Sequence, residues 1–443
     1  MGVTLLKRAA ERPREEKKDV QDKVSSMLDT IRTEGQPAAE RFSRELDHWD
    51  GAIVLDGPSK AAAIGRVPEK MKQDIQFAHN NIRRFAEMQR GTVTDCQIEL
   101  MPGHWAGQKH IPVGSAGCYV PGGRYSHVAS ALMTITTAKV AGVKHITAAS
   151  PPRPGVGIPD AIVYAMDLCG ADTILVMGGV QAVASMAFGL FGVPKSDILV
   201  GPGNSFVAEA KRMLFGEVGI DMFAGPTDTL VIADATADPR LVAWDLVGQA
   251  EHGVDSPCRL VTNDRALADK VLALVPELIA TLPTSNAAAA NTAWTERGEV
   301  ALCTGDGDKD AAREEMAATA DTYAPEHLHV QAENLEWWRD RLTCYGSLFL
   351  GPETTVAYGD KASGPNHVLP TSGAARYTGG LSVHKFMKTV TWQRTDKTSL
   401  KDIAVASARI SRLEGMEAHA RSADVRLEHF FPEETFDVQV ESQ

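Results

Sequence analysis

The sequence predicts an α/β protein built on parallel sheets, and three observations predict it. Short β-branched runs alternate with alanine-rich stretches of helical spacing through the middle of the chain. Glycine-rich turns follow several of those runs. At 443 residues, 44% of them hydrophobic, the chain is too long for one ordinary core, so two or more structural units are expected.

Taken in order, residues 1–25 read as an N-terminal helical arm. The charged run at 12–23 mixes both signs, as a solvated helix face does. From about 15 to 90 the chain reads as a helical lead-in. Val24, Met27, Leu28 and Ile31 recur at helical spacing, and 68–88 repeats the pattern. Strand candidates then follow at 145–150 (HITAAS), 173–177 (TILVM), 197–200 (DILV), 229–234 (TLVIAD) and 258–262 (CRLVT), with helical patterns between them. In such sheets ligands sit outside the carboxyl ends of the strands, which directs attention to the turns after them. Residues 398–423 read as one long helical segment, a separate C-terminal element.

The turns are Val120-Pro121-Gly122-Gly123-Arg124, Gly178-Gly179-Val180-Gln181 and Gly201-Pro202-Gly203-Asn204. Glycine lets a ligand approach the backbone, and a following helix start presents N–H groups to an anion. One such turn is ordinary in an α/β protein; several at strand ends favour a nucleotide. The G-x-G-x-x-G fingerprint is absent, since Gly201 and Gly203 supply its first half but position 206 is Phe. A nucleotide is therefore expected to bind in an atypical way.

The formal net charge of −12 is a poor match for DNA or RNA, and no basic stripe with interleaved aromatics occurs. No run of about 20 apolar residues marks a membrane span, and the first residues carry no apolar stretch of signal-peptide length. The six cysteines are scattered without a CxxC pair, the pattern of free thiols in a reducing compartment. The expectation is a cytoplasmic protein with a small-molecule partner, and neither a nucleic acid nor a membrane.

Four places carry candidate chemistry. Gln249 and His252 are three apart at the end of a helical pattern, where they share a face; histidine ligates zinc and an amide oxygen is a weaker ligand. The same residues equally describe a helix C-terminus closed by Gly253. Glu326-His327 follows Tyr323-Ala324-Pro325, a turn that can present an acid–base pair or a plain surface loop. Asp360 lies in the polar loop GDKASGPNH, with His367 shortly after it. His419 follows Glu414 on the C-terminal helical segment. Spacing leaves open whether these groups meet.

Longer motifs join them. VPGGR, GGVQAVASMAFG, VGPGNSFVAEAKR, AGPTDTLVIAD, DLVGQAEHGVDS, YAPEHL, GSLFLG, ASGPNHVLPT and EGMEAH run in order from about 113 to 419, and the chain resembles the histidinol dehydrogenase family through them. The resemblance implies two incomplete Rossmann-like α/β domains with parallel sheets, plus helical N- and C-terminal elements. On that frame 26–118 with 227–371 would form a first α/β domain holding zinc and the catalytic residues. Residues 119–226 would form a second, bearing the NAD turns, and 372–443 a helical tail in the dimer contact. The resemblance implies one Zn2+ per subunit held by Gln249, His252, Asp360 and His419, the last from the partner subunit, so that the active site is shared in a homodimer. It implies Glu326 and His327 as the acid–base pair, and NAD near Tyr119, Gln181 and Asn204. The substrate would lie against Thr227, Gln249, His252, His327, Asp360, Glu414 and His419. It would be oxidised from alcohol through aldehyde to carboxylate in two hydride transfers.

Several residues depart from the biosynthetic pattern. Thr227-Asp228 stands where Ser-Glu is usual, His384-Lys385 where an acidic residue commonly precedes the Phe, and Ser126-His127 where small or apolar residues follow VPGGR. These changes resemble the branch of the family that oxidises 2,3-dihydroxypropane-1-sulfonate to 3-sulfolactate. A sulfonate needs donors or cations, for which His127, Arg124 and Lys385 are candidates. Retention of Glu414 points the other way, toward L-histidinol. A non-catalytic binding protein on the same fold is a third reading, one that has no need of the whole ligand set together with Glu326 and His327.

Overall fold

A computed structural model describes residues 2–10, 17–122, 127–222 and 225–439. In these, the strands are β1 (Val3–Lys7), β2 (Cys96–Met101), β3 (His104–Pro112), β4 (Ser115–Tyr119), β5 (His145–Ser150), β6 (Thr173–Val176), β7 (Ile198–Val200), β8 (Gly219–Ile220), β9 (Thr229–Ala233), β10 (Cys258–Thr262), β11 (Gly298–Cys303), β12 (His327–Gln331), β13 (Ser347–Leu350) and β14 (Met387–Thr395). The chain divides into two compact units, Met1–Arg90 with Val113–Phe386, and Gly91–Pro112 with Met387–Gln443.

The first unit holds two sheets with one plan. One is wholly parallel, in the order β6-β5-β4-β7-β8. The other runs β1-β11-β10-β9-β12-β13, parallel except for β1, which pairs antiparallel with β11. Numbered within each sheet, the parallel strands follow the order 3-2-1-4-5, the doubly wound arrangement one strand short of six. Each sheet is buried on both faces, so its strands are continuous apolar runs. In β9, Val231 and Ala233 join the core under the Pro239–Ala250 and Arg265–Ile279 helices. Leu230 and Ile232 join the opposite core with Met316, Ala320 and Trp338. The α/β class with parallel sheets is that of the structure, and the two incomplete doubly wound sheets that the resemblance implies lie within one compact unit.

Several expectations are corrected. The N-terminal arm is not wholly helical: Val3–Lys7 is an edge strand, the described part of the charged run is helical from Lys17, and residues 12–16 of that run lie outside the described residues. Residues 24–39 do not pack on the 227–371 sheet. Val24, Leu28, Ile31, Ala38 and Ala39 are buried with Leu175, Val183 and Val207 against the other sheet, because their apolar stripe needs an apolar face and finds it there. The long helix at 398–423 is two helices, Lys397–Leu413 and Glu417–Phe430, broken where Gly415 takes φ +75°.

The second unit is a three-stranded antiparallel sheet, β14-β3-β2, with those two helices. The boundary expected at 372 therefore lies at 387, and 91–112 joins the tail rather than a first domain. Every residue of β2 is exposed, so no buried face left an alternation to read. Among the described residues no helix is long and apolar enough to cross a membrane.

Candidate active site

The chain reaches Glu326 and His327 through a sharp turn. Ala324 closes the Lys309–Tyr323 helix in the left-handed region (φ 46°, ψ 62°), Pro325 follows, and His327 is the first residue of β12. Both side chains are buried, at 6% and 3% exposure, so the surface-loop alternative does not describe them. Glu326 is tied to the chain entering β9: Asp228 N–H donates to its Oε2 at 3.1 Å, and Glu326 N–H donates to Asp228 Oδ1 at 3.0 Å. The backbone oxygen of Asp228 lies 3.0 Å from His327 Nδ1. A carbonyl can only accept, so Nδ1 carries the proton and Nε2 is the free position.

That Nε2 is buried without a hydrogen-bond partner and stands 3.6 Å from Asp360 Oδ1, a charge contact rather than a hydrogen bond. Asp360 caps the short Val356–Gly359 helix, and its other oxygen lies 3.7 Å from His252 Nε2. His367 Nδ1 donates to the Asp360 carbonyl at 2.9 Å, while its Nε2 meets Ser130 Oγ at 3.1 Å. His252 lies just past the Pro239–Ala250 helix, its N–H on the Gln249 carbonyl at 3.2 Å. Gln249 Nε2 donates to Thr227 Oγ1 and its Oε1 accepts from Thr229 Oγ1, both at 3.1 Å. Thr227 lies close enough to the Glu326 carboxyl to favour its charged form. Thr227, Gln249, His252, Glu326, His327 and Asp360 are thus one connected group. Beside it lies a cavity of about 320 Å³ lined by His327, Asp360, His367, Ser347, Phe349 and Asn366, among others.

Burial raises the Glu326 carboxyl to about 7, against the opposing pull of His327. Burial also opposes charge on His327, but Glu326 and Asp360 overcome it and hold the imidazole at about 9. Burial would raise Asp360 as well; His327, His367 and His252 reverse that and keep it well below the usual carboxylate range. Asp228 is raised by burial and partly offset by Arg259, whose Nη1 lies 3.8 Å away.

The position of this group overturns one expectation. Thr227, Asp228, Glu326 and His327 precede or begin β9 and β12, so they lie at the amino ends of the strands, not the carboxyl ends. At the carboxyl end of β9 the Asp234 carboxylate accepts from Glu333 N, Thr236 N and Thr236 Oγ1, which closes that crevice with hydrogen bonds.

The glycine turns do follow carboxyl ends, those of the other sheet, and two of them flank its switch point between β4 and β7. Gly201 needs its missing side chain: φ is +117°, and a Cβ would stand 2.1 Å from the Tyr119 carbonyl oxygen. Tyr119 OH accepts from Gly179 N at 3.1 Å, and burial lifts the phenol to about 12. Gln181 Nε2 donates to Asp47 Oδ2 at 2.9 Å, as does Gly178 N at 3.0 Å. Two N–H groups of this turn are therefore already used by the protein, contrary to the free donors expected. Gln181 Oε1 is buried with no partner. Asn204 caps the Ser205–Leu214 helix, accepting from Phe206 N and Val207 N. Asp47 gave no signal in sequence, being a lone acid on a polar helical stretch.

Among the specificity candidates, His127 faces this group, but not as a cation. Burial pushes it down to about 4, and the charges of Lys361, His367 and His252 add to that, so at neutral pH it offers only a neutral ring. Lys361, which sequence reasoning passed over, is an exposed lysine whose charge acts on His127, His252 and His367. Lys385 Nζ donates to Thr378 Oγ1 at 3.0 Å; Lys385, Lys361 and His127 are all absent from the lining of the His327 cavity. Arg124 and Ser126 lie outside the described residues. Glu414 and His419 are exposed residues of the second unit, where His419 lines a groove of about 570 Å³ between the Lys397–Leu413 and Glu417–Phe430 helices.

The first unit's residues fit part of a metal site. Two ligands about 2.0–2.2 Å from one tetrahedral ion lie roughly 3.3–3.6 Å apart. The His252–Asp360 separation of 3.7 Å is close to that, and burial holds His252 below its ordinary pKa, in the neutral form that ligates. Gln249 Oε1 keeps a second lone pair beyond its Thr229 bond. Among the described residues no cluster of three or more His, Cys, Asp or Glu is arranged around one ion, so this unit alone supplies an incomplete set.

A family model described as histidinol dehydrogenase matches residues 10–427. The chain is 62% identical to a sulfopropanediol 3-dehydrogenase of Ruegeria pomeroyi, across 99% of both chains. It is 63% identical to a histidinol dehydrogenase homolog of the same organism, across 98% of both. The crystal structure of histidinol dehydrogenase from Elizabethkingia anophelis superposes with a TM-score of 0.87 at 34% identity, over 95% of this chain and 94% of that one.

Proposed function

The chain belongs to the histidinol dehydrogenase family and is an oxidoreductase acting on a small molecule, and from that premise we propose a zinc- and NAD-dependent oxidation of 2,3-dihydroxypropane-1-sulfonate to 3-sulfolactate. The observation that carries the chemistry is the set of contacts joining His252, Asp360 and His327 beside a cavity. The substrate rests on 62% identity to a protein named for it, against 39% to a histidinol dehydrogenase of Thermus thermophilus.

When bound, zinc would polarise the alcohol oxygen as a Lewis acid and NAD would accept hydride. Gln249, His252 and Asp360 would hold the metal, with His419 of a second copy completing the set. Tyr119, Gln181 and Asn204 would meet NAD. His327 is positioned as general base: Nδ1–H is anchored on the Asp228 carbonyl, leaving Nε2 to take the hydroxyl proton. That base must be unprotonated, yet Glu326 and Asp360 hold a proton on it. A cation at Asp360 would cancel that carboxylate's share of the pull and lower the proton affinity of His327. Glu326, buried and near neutrality, would activate water in hydrating the aldehyde. For the sulfonate, Lys361 supplies charge and His127 a neutral hydrogen bond.

L-histidinol is the second reading, favoured by the retained Glu414 and the buried acids Asp228 and Glu326 around the site. The test is product counting with the zinc-loaded protein: the proposal expects two NADH per diol consumed and sulfolactate as the end product. One NADH with accumulating aldehyde would remove the second step.

A further inference from the structure

We infer that Asp245 is a positioning residue that locks together the three elements bearing the candidate site; the role rests on the reading of that site given above. Asp245 lies on the Pro239–Ala250 helix, one turn before Gln249. Its side chain is 11% exposed, and both oxygens are engaged. Oδ1 accepts from Thr355 Oγ1 at 2.7 Å, where Thr355 is the N-cap of the helix that ends at Asp360. Oδ2 accepts from Gln331 Nε2 at 2.7 Å and stands 3.0 Å from His329 Nδ1, off the line of an aligned hydrogen bond.

His329 and Gln331 lie on β12, on the face that begins with His327. Phe349 packs against both histidines, 6.2 Å from each ring. His329 is fully buried, and its other nitrogen meets the Gly351 carbonyl at 2.8 Å, just beyond β13. One carboxylate thus fixes the helix that carries Gln249 and leads into His252, the strand carrying His327 and the segment carrying Asp360. Apolar packing tolerates small slips between such elements; a buried carboxylate with both oxygens committed does not.

The test uses the full chain with Asp245→Ala and Asp245→Asn. Asn keeps an acceptor for Thr355 but turns an N–H toward Gln331. In Asp245→Ala, amide hydrogen exchange should speed up by about ten-fold or more in three separate stretches, 249–253, 327–331 and 352–360, while 115–119 and 198–200 keep the wild-type rate. In turnover, kcat should fall about 10–100-fold with KM for NAD nearly unchanged, and Asp245→Asn should recover part of it. Faster exchange confined to 239–253, or KM for NAD rising in step with the loss of kcat, would overturn the role. The exchange arm does not depend on substrate. If the wild type turns over none of the proposed diol, the exchange pattern alone still decides for or against the lock.

Discussion

The Asp360 carboxylate lies between two imidazoles, Oδ1 3.6 Å from His327 Nε2 and Oδ2 3.7 Å from His252 Nε2. One group so placed can serve a metal on one side and set the proton affinity of a base on the other. Replacing His327 by Asn should lower kcat/KM by about two to four decades, the range for losing a general base, with bound zinc unchanged. His252→Ala should instead lose zinc, read by metal analysis after dialysis, and lose activity with it, while the fold persists by circular dichroism.

Glu326 gives a stability signature free of substrate. Its folded pKa of about 7 lies above the ordinary glutamate value of 4.5. Between those values the native chain keeps a proton that the unfolded chain has released, so stability present below about 4.5 is lost as pH rises through about 7. Glu326→Gln should remove that loss, so the metal-free variant should gain in Tm relative to wild type on going from pH 4.5 to 8. A Tm difference constant with pH would contradict the buried carboxyl.

The nucleotide turns make a separate prediction. Tyr119→Phe removes the acceptor for the half-buried Gly179 N–H, which costs about 1 kcal/mol, and should raise KM for NAD more than it changes kcat. Gly201→Ala, which must clash with the Tyr119 carbonyl, should be worse on both counts. Calorimetric NAD affinity checks each.

The paired sheets were legible because continuous β-branched runs between helices admit few other folds, and β5 and β10 match their runs residue for residue. The β2–β3–β14 sheet was not, since β2 buries nothing and β3 mixes Gln108, Lys109 and His110 along its length. At the site, residue types marked Gln249, His252, Glu326, His327 and Asp360, but the strand-end rule pointed to the wrong end of β9 and β12. That rule concerns open crevices, and Asp234 closes this one. His127 was read as a donor or a cation, because exposure cannot be seen in sequence; burial makes it neutral and leaves the donor. Asp245 and His329 were invisible, being ordinary polar residues until three elements converge on them.

The shared site predicts complementation. His419 sits on an exposed helix of the second unit, and the proposal has it complete the metal site of another copy. Mixed His419→Ala and His327→Ala proteins, each inactive, should recover activity after subunit exchange, approaching a quarter of wild type where heterodimers form half the population and one of their two sites is intact. A fully active monomer by light scattering would contradict it.

The most direct measurement of the central claim is NAD reduction by the zinc-loaded protein with 2,3-dihydroxypropane-1-sulfonate and L-histidinol side by side. A charge-assisted hydrogen bond to a buried anion contributes roughly 1.5–3 kcal/mol, or about one to two decades in kcat/KM. The account predicts that kcat/KM for the sulfonate diol exceeds that for L-histidinol by at least that margin, and that Lys361→Met narrows the gap. A higher kcat/KM for L-histidinol, or no NAD reduction with either alcohol, would contradict it.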